Sequence, residues 1–257
     1  MRRTPSLLAA LLLLLAAGCR REGAPLARPA DGPATGGVQQ GVQQGGAPPP
    51  PPRTPAAPMS WRGADWLTRE SREREEQPER MLDALGLRPG MRVADVGAGV
   101  GYHTLRLARR VGPTGRVWAT DVQEEMLERL GARVAAEGLS HVTPVLSGPD
   151  RTGLPPGAVD LVLMVDVFHE VAEPQAFLAS LREALAPGGR LALVEFRAED
   201  PAVPVREEHK MSVAQVDAEL AAGGFVRVGR FDGLPRQHLL FYAPAPAPAP
   251  GAADGGR

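Results

Sequence analysis

Apolar positions along the chain change their period again and again between residues 79 and 242. In "ERMLDALGL" Met81, Leu82 and Leu85 share one face of a predicted helix that Gly86 closes. "YHTLRLARRV" repeats the pattern at Leu105, Ala108 and Arg109, and "VQEEMLERLGARVAAEG" at Leu127, Leu130 and Val134. Two further helices are predicted: "PQAFLASLREALAPGG", with Pro174 in its first turn and glycines beyond its end, and "SVAQVDAELAAGG", begun by Ser212. Short apolar runs separate these helices: "MRVADV", "GRVWATD", "HVTPVL" (weakened by Pro144), "VDLVLMVDVF", "RLALVEF", "FVRVGRF" and "RQHLLFYA". The unbroken fourth run predicts a central parallel strand buried on both faces.

Strands alternating with helices predict an α/β fold, a doubly wound, mostly parallel sheet covered on both faces. The last two strands are too close in sequence for a parallel crossover and must pair antiparallel.

Composition divides the 257 residues differently. Of the 27 prolines and 30 glycines, the prolines above all gather toward the ends, so the folded part is shorter than the chain. "MRRTPSLLAALLLLLAAGC" has two arginines, an apolar run from Leu7 to Ala17 and small residues before Cys19. Such a run, helical, covers roughly 16 Å, about half a bilayer's hydrocarbon, which suits an export signal better than a span. Its end resembles the lipobox of bacterial lipoproteins, which implies acylation of Cys19, a membrane-held, periplasm-facing protein and a cell-envelope location. The expected domains are a signal peptide at 1–18, a Gly/Pro/Gln-rich tether at 19–59, a folded domain at 60–243 and a Pro/Ala tail at 244–257.

A formal net charge of −1 without a basic run gives no footprint for nucleic acid. One cysteine excludes an intramolecular disulfide, and five histidines without HExxH spacing imply no metal.

Candidate chemistry starts at the turn after the first strand, where Gly97, Gly99 and Gly101 follow Asp95. A dinucleotide fingerprint from Gly97 needs glycine at 102, and Tyr102 stands there. Asp121, at the end of the second strand, is placed to take two ribose hydroxyls. The alternative is a cap on the next helix, with Glu124 completing a capping box. Asp95 can face a ligand or bond to loop amides.

"VADVGAGVGYHTLRLA", "VWATDVQEEML", "VDLVLMVDVFHEV" and "LAPGGRLALVEF" resemble, in order and spacing, the successive motifs of class I S-adenosylmethionine (SAM)-dependent methyltransferases. The similarity runs through roughly residues 62 to 243, toward enzymes of the ubiquinone and menaquinone biosynthesis type. It implies a seven-stranded Rossmann-like sheet with its last strand antiparallel. It also implies SAM over Gly97, Gly99 and Gly101, its ribose on Asp121 beside Val122, and a small-molecule acceptor. Asp95 and Asp166 fall where the family binds the cofactor, Asp166 toward its amino-acid end. The family's acidic residue after the third strand is replaced by Gly148, leaving Asp150 as the substitute.

His169 lies where a base beside the methyl group belongs, or serves as a packing or capping group. Glu195, Arg197, His209 and Lys210 form either the acceptor pocket's rim or solvated surface. "WRGADWLTRESREREEQPER" reads as a lid carrying Trp61 and Trp66, or as an exposed helix laced by i, i+4 pairs. SAM is a cytoplasmic cofactor and the signal directs export, so a non-catalytic ligand-binding lipoprotein stands as the alternative. An NAD-dependent oxidoreductase is disfavoured by Tyr102.

Overall fold

The computed structural model describes residues 53–246. The signal, Cys19, most of the tether and the far tail lie outside the described residues. No helix among the described residues is long and apolar enough to cross a membrane.

Seven strands follow one path through the sheet, in the order β3-β2-β1-β4-β5-β8-β7. They are β1 (Arg92–Val96), β2 (Arg116–Asp121), β3 (Val142–Leu146), β4 (Val159–Val165), β5 (Leu185–Arg197), β7 (Phe225–Phe231) and β8 (Gln237–Pro244). β1 to β5 pair in parallel, and β8 lies antiparallel to both β5 and β7, as the short final connection requires. The two-residue strand β6 (Lys210–Met211) is an addition to the expected seven and pairs with Phe196 and Arg197 at the end of β5. Pro144 is tolerated because β3 is an edge strand, where a missing N–H leaves one side of the ladder free.

Alternate residues of the strands feed two apolar layers. Val93, Leu161 and Leu163 pack with Leu82 of α2 (Pro78–Ala84), Leu105 of α3 (Tyr102–Val111) and Leu130 of α4 (Glu124–Ala136). Ala94, Val96, Val162 and Met164 face the other way, toward Leu178 of α5 (Pro174–Ala184) and Leu220 of α6 (Val213–Ala222). The period-two burial of β1 and β4 is what places helices on both faces.

The strand order steps outward from β1 to β3, then returns to β4 at the other side of β1. That reversal opens a crevice at the carboxyl ends of β1 and β4, where ligands of such sheets bind.

Residues 53–59, expected as the end of the tether, pack on the domain. Arg53 donates to the carbonyls of Phe168, His169 and Val171 and pairs with Glu219 at 3.1 Å. The Ala56 N–H donates to the His169 carbonyl at 3.1 Å.

Candidate active site

A cavity of about 920 Å³ occupies that crevice, within the usual range for small-molecule sites. The turn after β1 forms its floor. Gly97, Gly99 and Gly101 all have left-handed φ, at 72°, 53° and 83°. A Cβ on Gly97 would overlap the methyl groups of Val167, so this glycine lets the ends of β1 and β4 approach. Gly99 carries Leu67 above it, and any Cβ would lie 2.9 Å from that side chain. Both line the cavity. Gly101 does not: it precedes α3 and faces Leu130, so its role is helix packing rather than the expected ligand contact.

The turn satisfies its own amides. Gly97 and Ala98 donate to the Thr120 carbonyl, each at 2.9 Å, and Gly101 donates to the Ala98 carbonyl at 2.9 Å. Gly99 donates to Asp121 Oδ2 at 2.8 Å, and the Gln123 N–H donates to Asp121 Oδ1 at 2.9 Å. Asp121 is therefore not the cap of α4: Gln123 precedes that helix, and no side chain caps it. Burial raises the Asp121 pKa, against the pull of these amides.

Asp95 lies deeper and accepts the Thr104 hydroxyl at 2.6 Å, rather than loop amides. Burial pushes its pKa up to about 6, with the Thr104 hydrogen bond and Arg72 opposing. Asp166 directly follows β4 in a left-handed conformation, φ 55°, unusual for a residue with a Cβ. Its Oδ2 accepts from Gln237 Nε2 at 2.8 Å, while Oδ1 is buried without a partner. Burial first, then Glu76 and Glu195, hold the Asp166 pKa well above the ordinary carboxylate range. Val122 presents a half-exposed side chain to the cavity beside Asp121. Asp150 is outside the lining. The Gly148 N–H closes a turn onto the Arg151 carbonyl, and the Asp150 carboxylate pairs with Arg151 at 3.3 Å, so Asp150 does not take the cofactor-side place that the resemblance implies for it.

On the opposite wall, the short turn after β4 carries His169. Its Nδ1 meets Glu195 Oε2 at 2.7 Å, and Glu195 Oε1 accepts the Phe168 N–H at 2.7 Å. Glu195 is fully buried, behind the wall rather than on its rim. Burial alone would lower the His169 pKa, and the Glu195 carboxylate overrides it and raises it. His169 Nε2 lies 3.1 Å from Nδ1 of His209, which β6 sets beside the end of β5. Of the remaining rim candidates, Arg197 donates to the Leu234 and Pro235 carbonyls and Lys210 pairs with Glu207; neither lines the cavity.

The segment before α2 covers the glycine turn. Trp66 and Leu67 line the cavity, whereas Trp61 packs against the small cluster of Ala64, Val100 and Met126 and does not. Gln123 clamps this segment: its Oε1 accepts the Trp61 N–H and its Nε2 donates to the Met59 carbonyl, both at 2.8 Å. The Arg/Glu run is only partly surface. Within α1 (Arg72–Glu76), Arg72 and Glu76 are buried and paired at 2.6 Å, and Arg72 also donates to the Leu67 carbonyl. Neither Arg72 nor Gln123 was a sequence candidate, because an i, i+4 pair and a helix-start glutamine have the same local signature when exposed.

Residues 93–189 match the family model of the methyltransferase domain. Over 112 residues the chain is 36% identical to the ubiquinone/menaquinone biosynthesis C-methyltransferase of Cupriavidus taiwanensis, covering 43% of this chain and 45% of that enzyme. The counterpart from Cupriavidus necator is 37% identical over the same length. The chain thus spans about half the length of the curated relatives it matches. A SAM-dependent methyltransferase from Aquifex aeolicus superposes with a TM-score of 0.68 at 30% identity, over 72% of this chain and 98% of that one. The chain belongs to the SAM-dependent methyltransferase family.

The site of this methyltransferase-family chain fits that cofactor. SAM is a sulfonium with a free ammonium group, and the cavity is lined by Asp95, Asp121, Asp166 and Glu170 against Arg72 and Arg206. Asp166 Oδ1 is buried without a protein partner, a polar atom that the ammonium group of SAM would satisfy. A pyrophosphate, by contrast, would meet these carboxylates and a turn whose glycine amides already have acceptors.

Proposed function

We propose that the protein transfers the methyl group of SAM to a small-molecule acceptor seated in the apolar half of the cavity. The observation that carries this reading is the glycine turn with Asp121 bonded across it, beneath a carboxylate-lined cavity suited to a cation. Asp121 would take the ribose hydroxyls on lone pairs the loop amides leave free, and Val122 would flank the adenine. Asp95 and Asp166 would receive the amino-acid end. When bound, SAM supplies an electrophilic methyl group on its sulfur. The chain's own part is to position and exclude water, and orientation supplies on the order of 7–11 kcal/mol in well-aligned cases. Phe177, Phe196 and Val205 supply an apolar wall, and the Trp66–Leu67 segment shields the turn from solvent.

Calorimetric titration of the purified protein with SAM, its demethylated product and NAD tests the cofactor. Labelled transfer from SAM into an envelope extract tests the chemistry. Binding of NAD without SAM defeats the proposal, and SAM binding without transfer across a broad acceptor panel reduces the protein to a cofactor-binding one.

The sequence around Cys19 supports a second proposal, that acylation there holds the protein at the periplasmic face of the cell envelope. Incorporation of labelled fatty acid, lost in Cys19→Ser, is the expected result.

A further inference from the structure

We propose that His169, Glu170 and His209 form a binding site for a single divalent transition-metal ion, zinc by preference, in the wall of the cavity. His169 Nε2 stands 3.1 Å from His209 Nδ1 and 3.9 Å from Glu170 Oε1. The three ligand atoms all lie within 4.8 Å of one another. Around a tetrahedral zinc ion with bonds of about 2.0–2.1 Å, neighbouring ligand atoms stand about 3.4 Å apart, so small side-chain shifts close the set. Two imidazoles and one carboxylate leave a fourth position open, and all three residues line the cavity. That combination is the ligand set of an open zinc site rather than a closed structural one.

The support behind His169 strengthens the assignment. The Nδ1–H of His169 donates to the Glu195 carboxylate at 2.7 Å, which leaves the lone pair on Nε2, the atom aimed at the other two ligands. A carboxylate behind a ligand histidine fixes both its tautomer and its ring plane. Glu195 itself is held by the Phe168 and His169 amides, so the orientation is rigid. Without an ion, Arg206 donates to His209 Nε2 at 3.1 Å and His209 turns its N–H toward His169. Arg206 is largely exposed and also pairs with Glu208, so it can swing aside when His209 changes tautomer. The spacing of histidines along the chain hid this group, because β6 brings His209 across forty residues to His169. On this reading His169 is a ligand rather than a free base. The site does not depend on methyl transfer, since metal uptake is read on the chain itself.

The test uses the untagged full-length protein, stripped with a chelator and titrated with Zn²⁺ against a chromogenic competitor. A second titration uses Co²⁺ and follows its visible absorption. One equivalent of each ion is expected, with the intense Co²⁺ bands of four-coordinate geometry and a higher melting temperature with Zn²⁺. His209→Ala and Glu170→Gln should each weaken Zn²⁺ by roughly tenfold or more while retaining the metal-free melting temperature. Glu170→Gln keeps the shape of the wall, so it carries the test even if His209→Ala does not fold. No uptake by the wild-type protein, or uptake that neither substitution weakens, overturns the site.

Discussion

The Gly99 N–H donates to the Asp121 carboxylate at 2.8 Å, across the gap between the ends of β1 and β2. One side chain thereby shapes the glycine turn and faces the cavity, where it would receive the sugar of SAM under the function proposed above. Loss of Asp121 must therefore act on both stability and binding. Asp121→Ala is expected to lower SAM affinity about 10- to 100-fold, the range for hydrogen bonds to a charged group, and to lower the melting temperature. Calorimetry and thermal melting check the two effects, and weakened melting with unchanged SAM affinity would remove Asp121 from the cofactor site.

Gly97 is required by a steric contact within the protein. Gly97→Ala puts a methyl group into Val167 at a left-handed φ and should destabilise the protein by about 1–3 kcal/mol. Gly97→Ala/Val167→Ala should recover part of that loss, because the collision is removed and only the backbone strain remains. Denaturant melts of the three proteins decide the point, and no recovery in the double variant would count against the contact.

Asp95 predicts a pH dependence of fixed sign. Its pKa rises from 3.8 unfolded to about 6 folded through burial, so the native state binds the proton more tightly. The resulting stabilisation is fully present below pH 3.8 and disappears as pH rises through about 6. Asp95→Asn keeps an acceptor for Thr104 and removes this dependence. Relative to wild type it should gain stability between those values, by at most about 3 kcal/mol above pH 6. Melts of both proteins from pH 4 to 7 measure the difference, and parallel profiles would contradict the assignment.

Gln123 joins the covering segment to the end of β2 through two hydrogen bonds. Gln123→Ala leaves the Asp121 carboxylate and the backbone N–H it accepts in place. It should speed proteolysis near Met59–Trp61 and raise the SAM dissociation rate several-fold, at about 1 kcal/mol per lost bond. Limited proteolysis and stopped-flow release are the measurements. Unchanged rates would mean that the segment does not gate the cavity.

The order of strands and helices was legible because each element's period reports which faces it buries. Val93 and Val96 mark opposite faces of β1, and the continuous run of β4 marks its central place. Asp95, Gly97, Gly99, Asp121 and Asp166 were legible as one group because they sit at strand ends next to the point where the order reverses. Asp150 was misplaced, since a loop's local turn, here Gly148 to Arg151, decides where its side chain points. Gly101 has the same composition and φ sign as its neighbours, yet Leu130 rather than a ligand lies against it.

Sequence alone determined the alternation of elements, the parallel sheet with its antiparallel end and the strand-end turn that can approach a ligand. These follow from hydrophobic period and from glycine's freedom, which are local properties. Only the tertiary structure decided that Glu195 backs His169, that His209 joins it through β6, and that Arg72 is buried over the turn. Each of those depends on contacts between distant segments, where burial and packing, rather than residue type, set the partner.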